Sequence, residues 1–173
     1  MTTAFGKEPL SPKGHGVVIA VATAVMQLSY WPAVAATWAD PADDIITGAM
    51  IVGFSAVPFV FMLVAFASRH PQAPWAVVRA MALFLVVGLS FGLLHIASGV
   101  AAGYAAGGVA ALRAPKGLEP RAARLGMVVA ISFSVTIVLA AAPKVGLALG
   151  ALLPFPALGL ADWVAARRTT DVA

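Results

Sequence analysis

A chain of 173 residues with 61% hydrophobic and 10% charged residues is far from a soluble globular composition and lies in the direction of a membrane protein. Its net charge of +4 comes from basic residues at the ends of apolar stretches rather than along one face, which is an anchoring pattern and argues against nucleic-acid binding. There is no cysteine, which excludes disulfides, thiolate metal sites, cysteine nucleophiles and thiol lipidation.

Five near-unbroken apolar stretches follow one another: Val17–Trp38, Ile45–Ser68, Ala80–Leu112, Leu125–Ala142 and Val145–Ala166. Each reaches the length of about 18 residues needed to cross a hydrocarbon core of roughly 30 Å. No soluble domain is left over, so residues 1–173 read as a single polytopic transmembrane domain. Lys7 and Lys13 ahead of the first stretch, with Ala33-Val34-Ala35 inside it, mimic a secretory signal. The apolar run is too long for a signal core, and it reads as a retained first helix.

The connections alternate in charge. Lys7 and Lys13 precede the first stretch, and the loop Asp40-Pro41-Ala42-Asp43-Asp44 is purely acidic. Arg69, His70 and Arg79 make the next connection basic, and the third carries Arg113, Lys116, Arg121 and Arg124 against Glu119. Arg167 and Arg168 follow the last stretch. Lysine and arginine bias sets orientation, so both termini and the two basic loops are expected in the cytoplasm, with the protein in the cytoplasmic membrane. Both flanks of Ala80–Leu112 then lie on one side, and the chain must cross an even number of times between them. Two tight helices turning near His95–Gly99 satisfy this; one long tilted helix is the alternative, and it puts the most basic loop outside. The expected fold is an all-α membrane protein, a compact bundle of five to six transmembrane helices with six favoured. The spans are about 17–38, 45–68, 80–96, 98–112, 125–142 and 145–166. Pro32, Pro58, Pro154 and Pro156 are expected to bend or break their helices, leaving carbonyls for neighbours to satisfy. Trp38, Trp75 and Trp163 sit near predicted interfaces, where they serve as anchors.

Polar residues inside hydrocarbon are the natural places to look for chemistry. Asp162 is the acid within a predicted span, one turn from the cytoplasmic end and near Arg167, where it is expected to be solvated or ion-paired. A carboxylate-driven proton antiporter needs an acid near the midplane, and none is placed there. His95, between Ser90 and Ser98, is the intramembrane histidine; in the two-helix reading it sits at an outer turn in contact with water. Alone, it makes a poor metal site. His95 and Asp162 are therefore the possible polar site. Gln27, Ser29, Ser132, Ser134 and Thr136 are expected to bond between helices or to their own carbonyls. The chain carries no metalloprotease histidine pair, nucleophile elbow or phosphate-binding glycine loop, so neither enzyme activity nor a cofactor or metal is expected.

Glycine spacing is the most regular signal. Gly88 and Gly92 repeat at four residues, as do Gly99, Gly103 and Gly107, interleaved with Ala102 and Ala106. Small residues at that spacing let another backbone approach one helix face, from within the chain or from a partner.

Three segments together carry a family resemblance. They are Ser68-Arg69-His70-Pro71-Gln72-Ala73-Pro74-Trp75 leading into Arg79-Ala80-Met81, the glycine stretch ending Ala111-Leu112-Arg113, and Gly150–Asp162 with its Leu153-Pro154-Phe155-Pro156 break. The chain resembles small multi-pass membrane proteins of actinobacteria labelled drug/metabolite-transporter-like, a group that includes an accessory protein of the Mce lipid importers. The resemblance implies a non-catalytic accessory or stabilising subunit of a larger membrane complex for lipids or fatty acids. The alternative is a small transporter or substrate-binding membrane module for an apolar molecule. In the first reading Gly99, Gly103, Gly107, Pro154 and Pro156 supply helix contacts to a partner. Arg113, Lys116, Arg121 and Arg124 then meet partner surfaces or anionic headgroups. The expected partners are membrane lipids and the other subunits.

Overall fold

The computed structural model describes residues 8–38, 44–114, 128, 131, 132, 135 and 137–170, and all regular structure among them is helical. Ser11 starts the first helix. Its hydroxyl accepts the Gly14 N–H at 3.3 Å, and Pro12 takes the first helical position, where its missing N–H is no loss. Helix α1 (Pro12–Trp38) thus begins ahead of the apolar stretch and takes in His15. It continues through Pro32, as α2 (Asp44–Ala67) continues through Pro58, so neither proline ends its helix. The two helices meet at Gly53, where a Cβ would come within 2.9 Å of the Pro32 ring and 3.1 Å of the Ser29 carbonyl oxygen.

The stretch Ala80–Leu112 is two helices, α3 (Ala73–Gly92) and α4 (Ile96–Ala111). Helix α3 starts seven residues before the expected span, because Pro74 suits a first helical turn and Arg79 is carried within the helix. The turn is Leu93–His95, earlier than expected. Gly99 is not part of it: it lies inside α4, packed against Gly88 and Gly92 of α3. Among residues 128–141, Val128, Ile131, Ser132, Val135 and Ile137–Ala141 are helical. The last stretch is also divided, into α5 (Pro143–Leu152) and α6 (Pro154–Thr170), parted at Leu153. Pro154 and Pro156 remove the N–H groups that would reach Gly150 and Leu152, and the helix breaks there.

Helix α4 is the centre of the bundle, in contact with α1, α2, α3, α5 and α6. Every residue from Ala97 to Gly108 is buried. Apart from Ile96, Val100, Tyr104 and Val109 the helix is built of glycine, alanine and serine, so neighbours can close on it from several sides. Gly103 meets the Phe84 ring, Gly107 meets Phe61 and the Ala80 carbonyl, and Gly108 meets Leu158 and Phe155. Large side chains come from those neighbours and, at Tyr104, from α4 itself.

The exterior is apolar. Leu28, Val52, Phe59, Val86, Leu89 and Leu93 are all more than half exposed, an arrangement water does not favour. Among the described residues, α3 is the helix long and apolar enough to cross a membrane, and only 17% of that stretch is buried inside the protein. The core helix of a soluble protein passes the same length test but is mostly buried. The apolar stretches Ile51–Ala67 and Ile96–Ala111 are shorter.

Candidate functional site

The inward face of α1 carries polar side chains at helical spacing. His15 lies at the start, Gln27 and Ser29 three to four turns further, and Tyr30 beside them. Each meets a partner from a different part of the chain. His15 Nε2 lies 3.1 Å from Asp162 Oδ2 of α6, and both side chains are buried (7% and 1% exposed). Gln27 Nε2 donates to the Thr23 carbonyl at 2.9 Å and to the Ala151 carbonyl at 2.8 Å. Ser29 Oγ shares a short hydrogen bond with the Tyr104 hydroxyl of α4. Tyr30, fully buried, places its hydroxyl against Gly150, where no Cβ could be accommodated. These contacts form a polar seam between α1 on one side and α4, α5 and α6 on the other.

The seam passes through the break in the last stretch. Gln27 reaches a carbonyl of the last turn of α5, beside those that Pro154 and Pro156 strip of donors. A side-chain amide from α1 thus bonds to the carbonyl that lies between the two stripped of donors. Beyond it the interior closes: the Tyr104 ring has Phe61 at 5.5 Å, Phe84 at 5.3 Å and Phe155 at 6.2 Å, in tilted or edge-on contact. One turn below the His15–Asp162 pair, Gly159 lies against Ile19, which brings α6 close enough to α1 for the pair to form.

Of the two alternatives expected for Asp162, pairing holds and solvation does not. It is not solvated at a helix end, because α6 continues to Thr170 and puts Asp162 mid-helix, where α1 covers it. Its partner His15 lies ahead of the first apolar stretch, which begins at Val17. The Ser11-Pro12 helix start was the available signal, since it sets His15, Ile19, Ala22, Met26 and Tyr30 on one face. His95 does not join Asp162. It caps the start of α4 with extended backbone, half-buried, and its Nδ1 is shielded with no hydrogen-bond partner among the described residues. No group of three or more metal-ligating side chains occurs among the described residues.

Gly99, Gly103 and Gly107 all face neighbours within the chain. The face expected to meet a partner is filled by α2 and α3. Pro154 is buried and Pro156 is exposed. Arg113 is fastened to the α2–α3 connection: its N–H donates to Ser68 Oγ at 3.1 Å and its Nη1 to the Arg69 carbonyl at 2.8 Å. Lys116, Arg121 and Arg124 lie outside the described residues. An apolar groove of about 260 Å³ opens on the outer side of the α3–α4 hairpin, lined by Phe54, Leu85, Leu89, Leu93, Ile96 and the Gly88–Gly92 edge. The chain matches no family model, no curated protein and no solved structure.

Proposed function

We propose that this chain is a multi-pass protein of the cytoplasmic membrane acting as a non-catalytic accessory subunit of a larger assembly that moves lipids or fatty acids, as its resemblance to the Mce-associated group implies. The observation that carries this reading is an interior filled by side chains beneath an apolar exterior. Tyr104 is enclosed by Phe61, Phe84 and Phe155, and the polar groups of the seam bond to one another. Among the described residues such an interior leaves the outer surface to carry the function. In this reading α3 and α4 cross separately, which keeps the Arg79 and Arg113 ends on one side with both termini cytoplasmic.

Extraction of the tagged chain from its native membrane in mild detergent, followed by mass spectrometry, tests the proposal. Stoichiometric recovery of the subunits of a multi-subunit importer is the expected result. Recovery of the chain alone or only with itself overturns it. That outcome favours the second reading, a small transporter, for which a specific observation speaks: His15 and Asp162 form a buried ionisable pair beside a helix broken at Leu153.

A further inference from the structure

Helix α2 ends on an arginine whose backbone is in the region that favours glycine, with φ of 57° at Arg69. The Arg69 N–H donates to the Phe66 carbonyl at 3.0 Å and the His70 N–H to the Ala65 carbonyl at 2.9 Å, the crossed pair of a Schellman ending. Glycine is the residue that makes this turn without strain, and any side chain there is strained by comparison. The question is what the guanidinium does that glycine would not.

Four chain segments converge on that turn. The Arg69 carbonyl accepts from Arg113 at the end of α4, and Arg69 Nη1 reaches the Glu8 carbonyl at 3.5 Å ahead of α1. His70 Nδ1 accepts the Gln72 N–H at 3.2 Å, and Gln72 Oε1 accepts from Arg79 Nη2 of α3 at 3.0 Å. The oxygens that take N–H groups from Arg69 and Arg79 are therefore neutral, and neither arginine meets a carboxylate among the described residues. Both side chains are exposed, and Lys13 on the first turn of α1 is exposed as well. On α3 the same rim presents Trp75, 65% exposed, and Val78, 57% exposed.

We propose that Arg69 and Arg79, with Arg113 holding the turn from behind, bind the phosphate of an anionic phospholipid at the rim of the bundle. The guanidinium fork matches two phosphate oxygens; one Nη of each arginine meets a neutral acceptor, and among the described residues no carboxylate pairs with either charge. Trp75 takes the headgroup depth, as an amphipathic ring does, and Val78 begins the surface on which an acyl chain lies. The strained arginine is then explained as a binding residue retained where the turn alone would choose glycine. The inference rests on the membrane reading given above.

The test compares the full chain in phosphatidylcholine vesicles doped with spin-labelled phosphatidylglycerol or spin-labelled phosphatidylcholine. The fraction of immobilised label reports lipid held at the protein. Phosphatidylglycerol is expected to be enriched over phosphatidylcholine, and Arg69→Gln and Arg79→Gln each to lower the enrichment about fivefold. Arg69→Lys retains only part of it, because the charge stays and the fork is lost. Arg69→Gly is the decisive variant, because it relaxes the turn: thermal stability is kept or raised while the enrichment falls as in Arg69→Gln. Equal association of the two lipids, or unchanged enrichment in Arg69→Gly, overturns the proposal. So does an Arg69-dependent thermal stabilisation by inorganic phosphate in detergent without any lipid preference, which would make free phosphate the ligand. Flotation with undoped phosphatidylcholine vesicles separates the two levels: a chain that does not insert there fails the membrane reading, whereas one that inserts without lipid preference fails only this inference.

Discussion

Where α3 meets α4, glycine lies against glycine and the two backbones touch; where α1 meets α5 and α6, the helices join through His15–Asp162 and Gln27–Ala151. On the proposed membrane reading, burial of hydrocarbon does not drive helices together, and two means remain: close van der Waals fit and hydrogen bonds between helices. The hairpin relies on the first and the seam on the second. At Gly99 the fit between backbones tolerates no added atom. Polar pairing tolerates changes of shape but not the loss of one member of a pair.

The largest expected effect tests the seam. Asp162→Ala leaves the His15 imidazole buried without its acid. Breaking a buried pair from one side typically lowers stability by about 3–5 kcal/mol. His15→Leu combined with Asp162→Leu replaces the pair by apolar volume and should recover most of that loss. Thermal unfolding in mild detergent reads both. If the double variant is as unstable as the single one, the pair acts through its shape and the contrast with the hairpin disappears.

The hairpin is tested by adding a single methyl group. In Gly99→Ala the new Cβ comes within 2.6 Å of Gly92 Cα and also meets the Gly88 carbonyl, backbone atoms that cannot rotate away. Overpacking of this kind lowers stability by about 1–3 kcal/mol. The matched control is Gly16→Ala on α1, where a Cβ meets nothing within 4 Å and the gain in helix preference is about 0.5–1 kcal/mol. Opposite signs in the same unfolding assay mark close fit as the cause. A Gly99→Ala variant as stable as the parent would mean that the helices separate readily.

The two regions also differ in how far the sequence reveals them. Glycines at four-residue spacing show in the sequence as a close-packing face, and the division of Ala80–Leu112 follows from its length and basic flanks. What spacing does not reveal is which neighbour the face receives: Phe61 and Phe84 come from α2 and α3, and α4 is enclosed on every side. The seam is harder to read, because His15 and Asp162 stand 147 residues apart and Gln27 and Ala151 stand 124 apart. Hydropathy removes His15 from the first span altogether, since Lys13, Gly14 and Gly16 around it interrupt the apolar run. Local rules do place it in the helix through the Ser11-Pro12 start, but no local rule pairs it with an acid near the other end of the chain. Pro154 announces the break in the last stretch, whereas Pro32 and Pro58 carry the same chemical signal inside helices that continue. The difference lies in the surroundings. Gly53 gives the Pro32 ring room at the α1–α2 crossing, while before Pro154 the Ala151 carbonyl is met by a glutamine from another helix.

That glutamine gives the smallest and most discriminating test. Gln27→Leu keeps the side-chain volume and removes the donor to Ala151. Hydrogen bonds between helices in a membrane average about 0.6 kcal/mol, because the freed group finds other partners. A loss of that size, well below that of Asp162→Ala, means that the seam is a series of separate links and that the Leu153 break is held chiefly by packing around Phe155. A loss approaching that of Asp162→Ala would mean that the two contacts open together, with α6 swinging away from α1 as one body. Measuring the triple variant Gln27→Leu, His15→Leu and Asp162→Leu against the sum of its parts decides between these. Additivity keeps the seam a set of independent bonds, and strong coupling makes it one cooperative joint, which the glycine hairpin by its nature cannot be.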